Sequence, residues 1–299
     1  MRLSELAMLN DYRIEKDGEF EALGLLDSPV SRPILVFIGD KKLIKQFGQN
    51  VSCVICPSDV VADIPENIGV VVSANPKQLF FELHNHLSEE PPLGNARFST
   101  TIGNKCSIHK MAYIADNNVV IGNNVVIEEF VSIKENTVIG DNVIIRAGTV
   151  IGGMGFYFTK NSDNEFLPVN HFGGVVIEDN VELQQSCCVD RAYFPWDNTV
   201  IGQGTKLDNY VHIAHAVKIG KRVLITSCVS IAGNVIIGDD SYIGPGSIFS
   251  NNVTAGESAR VSLGSVVARN VPEKTTVTGN FAIDHSLFMS DLKEKFKRK

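Results

Sequence analysis

Along the second half of this chain one kind of residue returns every six positions: Ile201, Leu207, Ile213, Ile219, Ile225, Ile231, Ile237 and Ile243. Four residues after each stands a small or β-branched side chain: Thr205, Val211, Val217, Val223, Val229, Val235, Ser241 and Ser247. A helix repeats its face about every 3.6 residues and a strand about every 2, so neither alone produces this pattern. The unit must be a larger step that turns the same face inward each time. A short strand plus a corner does so, and three such steps close one triangular coil of a parallel β-helix. The large aliphatic fills the coil, and the small residue packs inside where the next corner bends.

The period begins near residue 98. Ile102, Ile108 and Ile114 share a phase, one extra residue intervenes, and Ile121, Ile127, Ile133, Ile139, Ile145 and Ile151 continue. It breaks at Gly152-Gly153 and resumes at Ile177, Leu183 and Val189. The segment 153–174 is therefore expected to leave the coil, and loops of that length inside a regular repeat are usually functional. Tyr193-Phe194-Pro195-Trp196 should bulge from one corner. With roughly nine coils about 4.8 Å apart, the prism should run some 40–45 Å.

Residues 1–97 lack the period. Leu3, Leu6 and Leu9 suggest a short helix; Ile34 to Ile38, Val51 to Cys56 and Gly69 to Val72 read as strands; Asn75-Pro76 opens a helix with Leu79, Phe80, Leu83 and Leu87 on one face. This is the pattern of a small α/β domain, joined through Ser88 to Leu93 to the coil of 98–275. His84 and His86 read as surface residues of the helix. The tail 276–299 carries a short amphipathic helix with Leu287, Met289, Leu292 and Phe296 on one side, expected to cover the open end of the coil.

Composition removes several classes. Charged residues at 20% and hydrophobic ones at 44% fit neither a disordered chain nor a membrane protein. The start of the chain lacks the apolar core of a signal peptide, which points to the cytoplasm. The 6 cysteines read as free thiols, with Cys53 and Cys56 buried in a strand. At a net charge of −7, with a basic run only from Lys293 to Lys299, nucleic acid is not an expected partner. Because side chains fill the coil, ligands must bind outside it. Prisms packed side by side create clefts, and a triangular section suits a homotrimer with three sites between subunits.

His215 follows the inward Ile213 by two and so points outward, and Asp208 follows Leu207 by one. A carboxylate one step back could orient the imidazole. His212 and His171 are expected to face outward as well. These residues leave open a transferase with a histidine base or a non-catalytic scaffold. No metal is expected, since His212 and His215 have carboxylate-poor surroundings and such a transfer needs no Lewis acid.

Gly155-Phe156, the run from Pro168 to Leu183, Cys187-Cys188-Val189-Asp190-Arg191-Ala192 and the run from Leu207 to Gly220 together resemble the bacterial UDP-3-O-acylglucosamine N-acyltransferases of lipid A synthesis. The resemblance implies a left-handed β-helix preceded by a uridine-binding domain. It implies His215 as general base, Asp208 as its partner and the Gly233 N–H as oxyanion donor. His171, Phe156, Asp190, Arg191 and His212 would then meet substrate. In the first domain Phe37 keeps an expected aromatic, whereas Asp40 and Leu43 stand where an asparagine and a tyrosine are expected. Ala216 replaces the usual asparagine after the histidine. The ending Val271 to Ala282 is closer to sugar acyltransferases that use coenzyme A. These departures favour acyl transfer from a thioester to an amino group of some nucleotide-linked sugar, the orthodox lipid A enzyme with acyl carrier protein being the alternative. No tightly bound cofactor is implied; acyl-CoA or acyl carrier protein would be a co-substrate.

Overall fold

The computed structural model describes residues 1–6, 12–89, 91–279 and 282–297. From Thr101 to Val277 the six-residue period sorts into three parallel sheets of nine, eight and eight strands, the faces of a left-handed β-helix. Each strand pairs with the one a full coil away: Cys188 lies opposite His212, and His212 opposite Ser230. The inward ladder of Ile133, Ile151, Val189, Ile213 and Ile231 is fully buried. Polar residues at the inner corners satisfy themselves on carbonyls, as Thr205 does on Gly220 and Ser247 on Gly244. Ile102, in the first coil, is 49% exposed because no coil lies beneath it.

Many corners use a left-handed backbone, most often at asparagine, as at Asn124, Asn142, Asn234 and Asn252. A short polar side chain tolerates that conformation better than a branched one. Asn234 also donates to Asn252 across one coil at 3.1 Å.

Between Gly153 and Gly174 the chain leaves the coil as an antiparallel hairpin, Phe158–Lys160 against Phe166–Pro168. The Tyr193 to Trp196 bulge stands next to its return. Gly173 makes that approach possible, since a side chain there would meet the carbonyls of Ala192, Phe194 and Asp197 at 2.5–2.7 Å.

The N-terminal domain is a five-stranded sheet ordered Arg13–Lys16, Gly69–Val72, Val51–Cys56, Ile34–Phe37, Ala22–Leu23, with only Arg13–Lys16 antiparallel. The two outer strands carry too few apolar residues to be read from sequence. The expected first helix is a 3-10 turn at Leu3–Glu5, and Leu9 lies outside the described residues. Pro76–Leu87 is an α-helix, although Asn75 makes no side-chain cap bond. Its Phe80 and Phe81 are buried with Leu3, Phe20, Val169 of the hairpin, and Tyr193 and Phe194 of the bulge. One apolar core thus joins the two domains. Trp196 stacks on Phe194 at 5.2 Å and donates to Leu23 O at 2.8 Å.

Two expectations need correction. His84 is completely buried, not a surface residue: its Nε2–H donates to Asn170 O at 2.9 Å and its Nδ1 accepts from Ser88 at 3.3 Å. A helix face wide enough to cover the hairpin's return carries the histidine inside. The C-terminal helix His285–Lys297 does not cap the coil, because Leu287, Phe288 and Met289 remain exposed. The side chain of Phe296 lies outside the described residues. Among the described residues no helix is long and apolar enough to cross a membrane.

Candidate active site at the domain junction

A cleft of about 960 Å³ opens between one face of the coil, the hairpin base and the N-terminal domain. His215, Gly233, Met154 and Phe156 line it, and the first domain contributes Asp27 and Ser28.

His215 stands at a corner, two residues past the buried Ile213. The equivalent corner a coil later carries Gly233, and a methyl group there would meet three atoms of the imidazole at 2.3–2.9 Å. The ring therefore lies against bare backbone. Tyr193 and His171 close two other sides, with ring centroids at 5.3 and 5.5 Å. Burial pushes the His215 pKa below its usual value, partly opposed by Asp190 and Asp197. The imidazole is consequently neutral at neutral pH, as a base must be. The Gly233 N–H donates to no protein group among the described residues, while its carbonyl accepts from Asn252.

His171 is buried and its Nδ1–H donates to Val169 O at 2.9 Å, which leaves the Nε2 lone pair free of a proton. Nε2 of His171 and Nδ1 of His215 are both buried without a hydrogen-bond partner. Among the described residues they are the only such side-chain atoms. Burial, and next the neighbouring His215, pull the His171 pKa down to about 4.

His212 and Asp190 also face the cleft, bonded to each other at 3.1 Å through Nε2 and Oδ2. The surroundings of His212 are thus not carboxylate-poor. Cys188 donates weakly to Asp190 at 3.7 Å, and burial together with Asp190 pushes its thiol up to about 11.

Five sequence expectations are displaced. His171, expected to face outward and meet substrate, is buried and does not line the cleft; the return of the hairpin turns its ring inward against His215. Asp208 does not reach His215: it binds the backbone and side chain of Asn209 and lines a separate shallow pocket with Lys206 and Thr226. Residues six or seven apart sit on successive corners of a triangular coil, whereas neighbours in space are a full coil apart. Arg191 does not line the cleft; its Nε–H donates to Gly152 O at 2.7 Å and fastens the break in the repeat. Phe37 packs on Phe80 and Phe81 at 5.0 and 5.9 Å. Asp40 caps the turn Lys41–Gln46 through Lys42 N–H. Neither lines the cleft. Phe156 does, with 89% of its surface exposed.

Other cleft residues gave no signal in sequence. Asp197 pairs with Lys218 at 2.5 Å, and Lys218 also donates to Asn198 O. Both sit outside the inward registers, where the repeat makes no demand. Tyr193 was marked only by the irregularity at 193–196.

A family model described as "Bacterial transferase hexapeptide (six repeats)" matches residues 118–153 and 198–233. A UDP-3-O-acylglucosamine N-acyltransferase of Coxiella burnetii (strain Dugway 5J108-111) is 32% identical over 252 residues, 76% of this chain and 72% of that protein. UDP-3-O-acylglucosamine N-acyltransferase 1 of Legionella pneumophila (strain Paris) is 51% identical over 79 residues, 26% of this chain and 22% of that one. Among solved structures, an Arabidopsis UDP-N-acetylglucosamine acyltransferase shares 26% identity with a TM-score of 0.52, covering 60% of this chain and 62% of that one. The Campylobacter jejuni enzyme of the same name, at 22% identity and a TM-score of 0.53, covers 67% of this chain and 79% of that one and shares the fold.

Proposed function

Because this chain is an acyltransferase belonging to the UDP-3-O-acylglucosamine N-acyltransferase family, we propose that it acylates the amino group of a UDP-3-O-acylglucosamine-type acceptor from a 3-hydroxyacyl thioester. The relatives' names support this acceptor over the broader class of nucleotide-linked amino sugars. Family membership also weighs against a silent scaffold.

The observation that carries the mechanism is the contact of the His215 imidazole with Gly233. The sugar amine attacks the thioester carbonyl carbon, and a C–N bond forms. The carbonyl oxygen gains negative charge and takes a hydrogen bond from the Gly233 N–H. Neutral His215 accepts a proton from the nitrogen, then returns it to the departing thiolate as the C–S bond breaks. His171 is a positioning residue in this scheme: with its Nδ1–H held by Val169 O, its ring stands edge-on to His215 at 5.5 Å between centroids and limits where the base can turn. The exposed Met154 and Phe156 suit an acyl chain entering the cleft. A homotrimer is part of the proposal, as prisms need lateral packing to close a cleft around two large substrates.

Mass spectrometry after incubation with the UDP acceptor and a 3-hydroxyacyl donor, on acyl carrier protein or on coenzyme A, tests this reading. Amide product from one donor is expected. No amide from either donor, or equal turnover of a dTDP-linked amino sugar, would refute it.

A further inference from the structure

The proton-transfer scheme leaves one group of side chains in the cleft wall without a task. Cys188, Asp190 and His212 bring a thiol sulfur, a carboxylate oxygen and a ring nitrogen within 4.8 Å of one another. The convergence follows from register. Cys188 and His212 are opposite each other on paired parallel strands, and Cys188 and Asp190 flank the inward Val189, so all three leave the same sheet face. The fold asks for nothing specific at these outward positions.

Their spacing fits a metal ion. Zn²⁺ binds sulfur at about 2.3 Å and nitrogen or oxygen at about 2.0–2.1 Å, which sets ligand–ligand edges of roughly 3.3–3.5 Å in a tetrahedron. The protein holds Sγ and Oδ1 of the first pair at 3.7 Å and Nε2 and Oδ2 of the second at 3.1 Å. The third pair, Cys188 and His212, lies within 4.8 Å, so binding would draw thiol and imidazole together around the ion. Thiolate with imidazole selects zinc-like ions over magnesium or calcium, and three protein ligands leave a fourth position. Asp190 and His212 line the cleft, so that position opens toward it.

We propose that Cys188, Asp190 and His212 form a three-ligand site for Zn²⁺ in the wall of the cleft. On binding, the Cys188 S–H bond breaks, its proton passes to buffer and an S–Zn bond forms, while neutral His212 and ionised Asp190 each donate a lone pair. The site stands independently of the acyl-transfer reading.

Chelator-washed full-length protein is titrated with Co²⁺ as a spectroscopic substitute. One equivalent per chain should give a thiolate-to-cobalt charge-transfer band, and Zn²⁺ should bleach it. Cys188→Ser should abolish the band, and Asp190→Asn or His212→Gln should weaken Co²⁺ affinity by an order of magnitude or more, each variant keeping the wild-type circular dichroism. Cys228→Ser, which removes an exposed thiol elsewhere, should leave the band intact. No band in the wild type, a band surviving in Cys188→Ser, or one lost in Cys228→Ser overturns the proposal.

Discussion

The imidazole of His215 rests against the α-carbon of Gly233, so closely that any side chain on Gly233 would overlap the ring. The same glycine lines the cleft with an N–H that has no protein partner among the described residues, so in the proposed mechanism one residue would hold the base and supply the oxyanion donor. Gly233→Ala should displace the ring and cut kcat by about 10²-fold or more, as expected for a misplaced catalytic group. Stability should change little, since the histidine can swing toward the open cleft. Steady-state kinetics beside a thermal melt will separate the two effects.

Ala216 holds a left-handed backbone at φ 58, directly below Asn234 and Asn252 at the same corner, which adopt it at 59 and 61. Those asparagines are linked by a side-chain hydrogen bond. An alanine in this conformation costs roughly 1 kcal/mol. Ala216→Asn should extend the ladder and raise the melting temperature by about 1–3 °C, measurable by scanning calorimetry.

His84 and His171 are both buried neutral, with pKa values drawn down to about 4 chiefly by burial. In the unfolded chain each would titrate near 6.5. Stability should therefore be fully present above pH 6.5 and fall as pH drops toward 4, because the unfolded state gains protons first. Each histidine contributes up to roughly 3 kcal/mol to that fall. Urea midpoints between pH 7 and 4.5 should show the slope. His84→Gln keeps a donor for Asn170 O but removes one titration, and should flatten the slope while lowering stability at neutral pH.

Trp196 closes the cleft by tying the coil to Leu23 of the first domain. Trp196→Phe removes the hydrogen bond and should cost about 1 kcal/mol. Trp196→Ala also removes the stack on Phe194 and should cost about 3–5 kcal/mol. Limited proteolysis should then cut the first domain sooner than the coil. Equal resistance of both domains would show that the shared core holds without Trp196.

The coil was legible because its period is a packing rule: every sixth residue must enter the interior, and the chain writes that rule as isoleucine. The break at Gly152-Gly153 and the bulge at 193–196 were legible as violations of the rule. The site was harder to read, because outward positions carry no period and contacts there run between coils. Asp208 looked like the partner of His215 by proximity in sequence, yet the full-coil neighbour Gly233 is what touches the ring. The resemblance named Gly233 only as a donor of an N–H. The Asp190–His212 pair joins strands adjacent in the coil but distant in sequence. Phe37 and Asp40, chosen by strand position, proved to serve the packing and capping of their own domain.

The rate of amide formation by His215→Ala, on protein verified as folded, addresses the central claim most directly. Loss of the general base should lower kcat by about 10²–10⁴-fold. In the wild type the acid limb of the pH profile should lie below pH 6.5, following the downward shift of the His215 pKa, and the variant should lack that limb. A variant that keeps wild-type turnover together with an unchanged acid limb would contradict the assignment of His215 as the base.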